Sequence, residues 1–164
     1  LMKNLYKNLQ RQYSRKINLD LSRINLALKK LGRVHDLIKN PINIIGSDGK
    51  YSTLKSLQYF IEGNKEKVSA FTSPHLYDVR HRFWLKDKFI STKELKENIK
   101  YIKKFRLKLT LFELLTLAYY ISAAKLNNVS YALVEAGLLF SGDSTRVWAK
   151  PKAQIITRRR YCSS

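Results

Sequence analysis

The chain has 164 residues, a formal net charge of +20 and one cysteine, Cys162. This length allows one domain with a buried core and no structural metal, and the lone cysteine excludes an intramolecular disulfide and suits the reducing cytoplasm. The longest nearly apolar segment, Leu109 to Ala124, contains Glu113 and is too short to cross a bilayer, so we expect no membrane span.

The first third of the chain predicts a helix, a strand and a second helix. Apolar residues recur at helical spacing from Leu21 to Leu31, behind Asp20 as an N-cap and before Gly32 as a stop. The short β-branched run after Pro41 is typical of a buried parallel strand. The residues from Ser52 to Ile61 then favour a helix.

The remaining elements continue the alternation of strands and helices. In chain order they are a strand at Val68–Thr72, a hairpin between Arg82 and Ile90, helices behind the capping boxes Ser91/Glu94 and Thr110/Glu113, and strands at Tyr131–Val134 and Ala153–Thr157. This order predicts the α/β class, with a parallel sheet that carries helices on both faces.

The loop GSDGKYS, residues 46–52, has the features of a phosphate-binding loop. Its glycines allow close backbone approach, and the following helix offers unpaired amides at the positive end of its dipole. Lys50 would place a positive charge on the phosphates, and the hydroxyl of Ser52 could ligate Mg²⁺. The spacing G-x-x-G-K-x-S differs from G-x-x-x-x-G-K-[ST], so a simple tight turn remains the alternative.

Two more polar side chains follow predicted strands. Ser73 comes after the second strand and Glu135 ends the third, and parallel strands place their carboxyl ends at one edge, where ligands bind. A hydroxyl and a carboxylate are suitable Mg²⁺ ligands. We therefore expect Lys50, Ser52, Ser73 and Glu135 to converge. The structural alternatives are that Ser73 caps the turn before Pro74 and that Glu135 is a solvated strand end.

Four stretches resemble a known family in their order and separation. They are GSDGKYS, FTSPHLYDVRHR, LTLFE and ALVEAGLLFSGDSTRV, and the family patterns read approximately GTNGKGS, TSPHL followed by ERI, T-x-FE and EVGLGGRLDATN. From about residue 18 to residue 157 the chain resembles the N-terminal part of folylpolyglutamate synthase/dihydrofolate synthase, in the Mur ligase superfamily. The resemblance implies a P-loop-like ATPase domain with ATP and Mg²⁺ as cofactors.

The resemblance also implies an activity in folate metabolism and a role for each matching residue. In such ligases ATP phosphorylates a carboxylate of dihydropteroate or folate, and the amine of L-glutamate attacks the acyl phosphate. The implied nucleotide-binding residues are Ser47, Asp48, Gly49 and the catalytic Lys50, with Ser52 beside them. Ser73 and Glu135 would be the metal ligands. The implied substrate-binding residues are Thr110, Leu111, Phe112, Glu113, Gly142, Asp143 and Ser144.

Structural alternatives apply to several of these residues. Thr110 and Glu113 can act as a capping box, and Phe112 can be a core residue. His75 is expected to be packed or solvated rather than catalytic. Tyr51 stands where the family has glycine, and it would cost about 1–2 kcal/mol if that position is left-handed.

The domain organisation follows from the same resemblance. Family members continue into an Asp-His segment, a lysine and a C-terminal domain, whereas this sequence ends in RRRYCSS. We therefore expect one incomplete Mur-ligase-type ATP-binding domain over residues 1–164, with a basic extension at 1–17, a disordered tail at 158–164 and no C-terminal ligase domain. Such a chain is expected to be a monomer with slow or undetectable ligase activity.

Two rival functions remain open at this point. One is a degenerate, non-catalytic binding protein that keeps the fold. The other is a basic nucleic-acid-binding module, because a net charge of +20 favours polyanions at low salt. The basic residues are scattered from Lys3 to Arg160, however, which also indicates an ordinary lysine-rich solvated surface.

Overall fold

The computed structural model describes residues 2–13, 20–137 and 142–158. The helices in these ranges are α1 (Met2–Gln12), α2 (Ser22–Lys30), α3 (Lys50–Gly63), α4 (Thr92–Lys103) and α5 (Leu111–Ala123). The strands are β1 (Pro41–Ile45), β2 (Val68–Phe71), β3 (Phe83–Leu85), β4 (Lys88–Phe89), β5 (Tyr131–Glu135) and β6 (Ala153–Ile156). Short 3-10 helices cover Val34–Leu37 and Val79–Arg82.

The six strands form one sheet in the order β4-β3-β2-β5-β1-β6. β2, β5, β1 and β6 are parallel, which confirms the predicted parallel arrangement for these four strands. The predicted hairpin is also present, and it adds β3 and β4 to the sheet as antiparallel strands. The sheet is therefore mixed, and the α/β class is confirmed.

Helices cover both faces of the sheet, as predicted. On one face α3 places Leu54 against a small cluster that includes Ile44 and Leu133. On the other face α1, α2, α4 and α5 share a larger cluster. β1 and β2 are buried along their whole length, which explains why their sequences are nearly continuous apolar runs.

Residues 2–12 of the expected N-terminal extension form helix α1, which the sequence analysis did not predict. Leu9 of this helix is only 2% exposed and belongs to the larger cluster, and Leu5 packs against the same cluster. The helix is thus anchored by apolar contacts. Among the helices of the described residues, none combines the length and apolar character that crossing a membrane requires.

Side-chain hydrogen bonds lie at the starts of two predicted helices, although the N-cap of α2 is Leu21 rather than the predicted Asp20. Asp20 accepts hydrogen bonds from the amide and the hydroxyl of Ser22 at the start of α2. The Ser91 hydroxyl accepts the Glu94 amide at the start of α4. Gly32 ends the first of these helices with a φ of +72°. These contacts satisfy amides that a helix cannot pair internally.

Candidate functional site

The loops that follow β1, β2 and β5 lie side by side at the carboxyl edge of the parallel strands. β5 is between β1 and β2, and Ile44 lies opposite Glu135 while Phe71 lies opposite Val134. The residues that follow each strand therefore reach the same edge, as the sequence predicts. We call this edge, formed by Gly46 to Lys50, Ser73 and Glu135, the rim.

Glycines shape the loop between β1 and α3. Gly46 has a φ of +133°, and a Cβ there would collide with Thr157 Oγ1. Gly49 has a φ of +79° and precedes the first residue of α3. Tyr51 lies in the first turn of that helix with its side chain exposed, and Lys55 Nζ is 5.8 Å from its ring. The condition for strain at Tyr51 is therefore not met, because Gly49 takes the left-handed position.

Lys50 lies over its own loop. Its Nζ donates to the carbonyl oxygens of Gly46 at 2.9 Å and of Ser47 at 3.3 Å. The amides of Ser47 and Asp48 donate to the carbonyl oxygen of Arg158. These bonds tie the loop to the segment that follows β6. The side chain of Ser52 is exposed. The first amides of α3 have no intrahelical acceptor, and the N-terminus of a helix favours bound anions.

Glu135 is a buried carboxylate at the rim. It is 2% exposed, and its Oε2 accepts the amide of Ser73 at 3.0 Å. Burial raises the pKa of Glu135, while the Ser73 amide and the charges of Lys50 and Arg82 act in the opposite direction. The structure thus brings Lys50, Ser73 and Glu135 together. The alternative of a solvated strand end is wrong for Glu135.

Arg82 is a rim neighbour that the sequence analysis missed. It is 7% exposed, and it donates from Nη1 to Ser73 Oγ at 3.4 Å and from Nε to His75 Nδ1 at 2.9 Å. Burial, followed by the charge of Arg82, lowers the pKa of His75, so the ring is a neutral acceptor at pH 7. Tyr6 of α1 packs edge-on against that ring at 4.4 Å. Arg82 is the last residue of FTSPHLYDVRHR, one of the stretches that carry the resemblance, so the sequence held a signal for it although no role was assigned to it.

The side chains at the rim fit a Mg²⁺ ion. Mg²⁺ in nucleotide sites takes one or two protein oxygens and completes its shell with phosphates and water. The Glu135 carboxylate at the end of β5 and the Ser73 hydroxyl just after the neighbouring strand β2 supply such oxygens. Lys50 lies close enough to Glu135 for its charge to act on that carboxylate. Phosphates bound at the Lys50 loop would complete the coordination shell of the Mg²⁺ ion.

At the start of α5, two of the predicted substrate-binding residues serve the helix itself. Glu113 Oε2 accepts the Thr110 amide at 2.7 Å, and the Thr110 hydroxyl accepts the Glu113 amide at 3.2 Å. The predicted capping box is confirmed. The other oxygen, Glu113 Oε1, accepts Arg23 Nη2 at 2.8 Å. Leu111 is buried beside them. Both oxygens of this carboxylate are therefore engaged within the protein.

The remaining predicted substrate-binding residues also lie along α5. Phe112 packs 6.0 Å from Phe71 and against Gly137, where a Cβ would lie 2.6 Å from its Cζ. Asp143 and Ser144 are each 5% exposed and follow Gly142, whose φ is +84°.

Asp143 and Ser144 are held by hydrogen bonds within this region. Asp143 Oδ1 accepts the Thr145 amide at 2.9 Å, and Ser144 Oγ lies 3.0 Å from Thr116 Oγ1 of α5. Residues 138–141 of the predicted substrate loop lie outside the described residues. Ser144 thus lies against α5, the helix that begins beside the predicted residues Thr110 to Glu113, whereas Lys50, Ser73 and Glu135 share the rim.

Comparisons with known proteins agree with this geometry. No family model matches the sequence. A probable dihydrofolate synthetase of Schizosaccharomyces pombe is 29% identical over 147 residues, which are 87% of this chain and 34% of the relative. The folylpolyglutamate synthase of Arabidopsis thaliana is 33% identical over 140 residues, 76% of this chain and 23% of the relative. The chain is therefore similar in sequence to the N-terminal part of folylpolyglutamate and dihydrofolate synthases.

Solved folylpolyglutamate synthases share the fold. The enzyme of Thermotoga maritima is 26% identical and superimposes with a TM-score of 0.83 over 99% of this chain and 40% of its own. A bifunctional folylpolyglutamate synthase/dihydrofolate synthase of Yersinia pestis, complexed with AMPPNP and Mn, is 22% identical with a TM-score of 0.82 over 94% of this chain and 38% of its own. The chain thus spans about a third of the length of its folylpolyglutamate and dihydrofolate synthase relatives.

Proposed function

We propose that this chain is the nucleotide-binding part of an ATP-dependent amide ligase that adds L-glutamate to dihydropteroate or folate. The observation that carries the proposal is the convergence of Lys50, Ser73 and Glu135 at one edge of the sheet. The names of the curated relatives support the reaction class, and the AMPPNP and Mn in the Yersinia pestis structure support nucleotide and metal binding.

Each rim residue has a distinct task in this proposal. Glu135 and Ser73 hold Mg²⁺ through their oxygens, and Lys50 leaves the carbonyl oxygens of its loop to bind the outer phosphates. Arg82 positions Ser73 and lies within electrostatic reach of Glu135. When bound, Mg-ATP supplies the phosphoryl group that activates the substrate carboxylate. The residues of the chain orient the reacting groups and stabilise the charge that develops in that step.

The substrate side of the proposal rests on the resemblance and on Phe112. The ring of Phe112 is partly exposed and touches Gly137, two residues after Glu135, so a flat pterin ring bound there would lie near the rim. Thr110 and Glu113 shape this place through the capping box rather than through free polar groups. We place the protein in the cytoplasm as a monomer, in keeping with its unpaired cysteine and small-molecule substrates.

Calorimetric titration with Mg-ATP tests the nucleotide site directly. We expect saturable 1:1 binding that Lys50→Ala weakens by about 2 kcal/mol, or roughly 30-fold, because a charged hydrogen bond to phosphate is lost. The matched control is Lys108→Ala, which removes an exposed lysine between α4 and α5. It should change the Kd by less than about twofold. Absent binding, or equal losses in the two variants, would contradict the proposal and favour a non-catalytic role.

A further inference from the structure

A second cleft lies at the opposite edge of the sheet from the rim. It has a volume of about 680 Å³ and is bordered by the residues that precede β1, β2 and β5 and by the turn between β3 and β4. Ligand pockets commonly have volumes of about 300–1,000 Å³. None of the residues discussed for the nucleotide site borders it. We call it the amino-edge cleft.

Positive charge dominates the lining of the amino-edge cleft. Four lysines border it, and the one acidic residue in the lining is Glu66. Lys67 is paired with Asp87 at 2.6 Å, and the Glu66 carboxylate accepts the Ser130 hydroxyl. In the described part of the chain, no ion pair joins a carboxylate to the other three lysines, which are Lys39, Lys65 and Lys86. The cleft therefore carries uncompensated positive charge.

The backbone around the cleft adopts unfavourable conformations. Of the six non-glycine residues with positive φ in the described ranges, four line this cleft, namely Asn40, Lys65, Lys86 and Asn128. Asparagine tolerates such values, but lysine does so at a cost of about 1–2 kcal/mol. Backbone strain of this kind concentrates at binding sites. The two lysines at φ +63° and +69° are thus placed at the cleft against their local preference.

Hydrogen bonds hold the walls of the cleft in place. Asn40 Nδ2 donates to the Ser130 carbonyl at 2.9 Å, and the Ser130 amide donates to the Lys67 carbonyl at 2.8 Å. The Lys86 amide donates to the Val68 carbonyl at 3.1 Å. These bonds connect the starts of three strands with the β3–β4 turn. Binding of a ligand here therefore requires little additional ordering of the backbone, which lowers the entropic cost of binding.

We propose that the amino-edge cleft binds a small anion with several phosphate or carboxylate groups. Lys39, Lys65 and Lys86 supply the charge, and the side-chain amides of Asn40 and Asn128 supply neutral donors. The size of the cleft and its fixed walls favour a compact ligand. This site does not depend on the proposed function, since it lies at the other edge of the sheet.

Calorimetry with two metal-free probes tests the proposal. Tripolyphosphate and citrate are titrated separately into the chain carrying Lys50→Ala, so that the rim does not contribute through its lysine. We expect saturable 1:1 binding of at least one probe. Which probe binds more tightly distinguishes a phosphate ligand from a carboxylate ligand. The double variant Lys65→Gln/Lys86→Gln should weaken binding at least about tenfold.

A second double variant with the same change in net charge is the control. Lys30→Gln/Lys108→Gln alters exposed lysines outside the cleft and should change the Kd less than about twofold. Thermal unfolding of each variant verifies that the fold is retained. Absence of saturable binding for both probes would overturn the proposal. An equal loss in the two double variants would do the same, because it would show diffuse attraction by the net charge of +20.

Discussion

The rim and the start of α5 each contain a buried glutamate, and the two glutamates differ in their contacts. Glu113 is 4% exposed and Glu135 is 2% exposed. Both oxygens of Glu113 are engaged, one by the Thr110 amide and one by Arg23. In the described part of the chain, Glu135 accepts a hydrogen bond from the Ser73 amide, and burial outweighs the effect of the neighbouring charges, so its pKa is raised. The first glutamate stabilises the fold, whereas burial disfavours the charged form of the second, which an external cation would stabilise.

The same resemblance gave both glutamates a functional role, and their contacts show why the roles differ. A buried carboxylate with a hydrogen bond on each oxygen is satisfied within the fold. A buried carboxylate with one amide partner gains from a cation that arrives with the ligand. The contacts of a residue thus decide more about its role than its place in a motif does.

The largest expected effect comes from removing the structural glutamate. Glu113→Ala should lower the free energy of unfolding by about 3 kcal/mol, because it removes the capping box and leaves Arg23 without its carboxylate. Chemical denaturation measures the loss. Glu113→Gln is the control, since glutamine can still accept the Thr110 amide, and it should cost less. A Glu113→Ala chain as stable as the wild type would remove the contrast between the two glutamates.

A smaller effect is expected from filling the space at Gly46. Gly46→Ala should cost about 2 kcal/mol, because the residue has a φ of +133° and its Cβ would meet Thr157 Oγ1. The comparison is the double variant Gly46→Ala/Thr157→Ala, which removes that oxygen and should recover part of the loss. Denaturation of both variants provides the measurement. Equal stability of the single variant and the wild type would show that the rim loop is not held in this conformation.

The smallest effect concerns the pH dependence of stability through Glu135. Folding raises the pKa of Glu135, so the folded chain holds this proton more tightly than the unfolded chain does. The free energy of unfolding therefore falls as the pH rises from the pKa of the unfolded chain through the raised pKa of the folded chain. Glu135→Gln lacks this loss. The stability of the variant relative to the wild type should therefore increase as the pH rises above about 4.5, in denaturation without metal or nucleotide. A stability difference that does not change with pH would contradict a raised pKa.

Sequence reasoning succeeded where local patterns and topology determine the result. The apolar run before Gly46, the capping box of Thr110 and the alternation of strands and helices predicted the parallel strands and the edge where Ser73 and Glu135 meet. Helix α1 was missed because its basic sequence reads as a tail, and only the packing of Leu9 reveals its place.

The parts of the site that were missed depend on contacts between distant segments. Arg82 lies in the stretch FTSPHLYDVRHR that carries the resemblance, but its contacts with Ser73 and His75 appear only in the fold. Tyr51 was expected to matter if its position were left-handed, but the backbone places that conformation at Gly49. Such features arise from burial and register, which a single sequence does not specify.

Crystals of the chain grown with Mn²⁺ and AMPPNP test the central claim most directly, because the anomalous signal of manganese locates the metal. The account predicts one ion bound by the Glu135 carboxylate and the Ser73 hydroxyl, with the triphosphate along residues 46–50 and Lys50 Nζ on its outer phosphates. A manganese peak away from Glu135, or a nucleotide bound elsewhere on the chain, would contradict it.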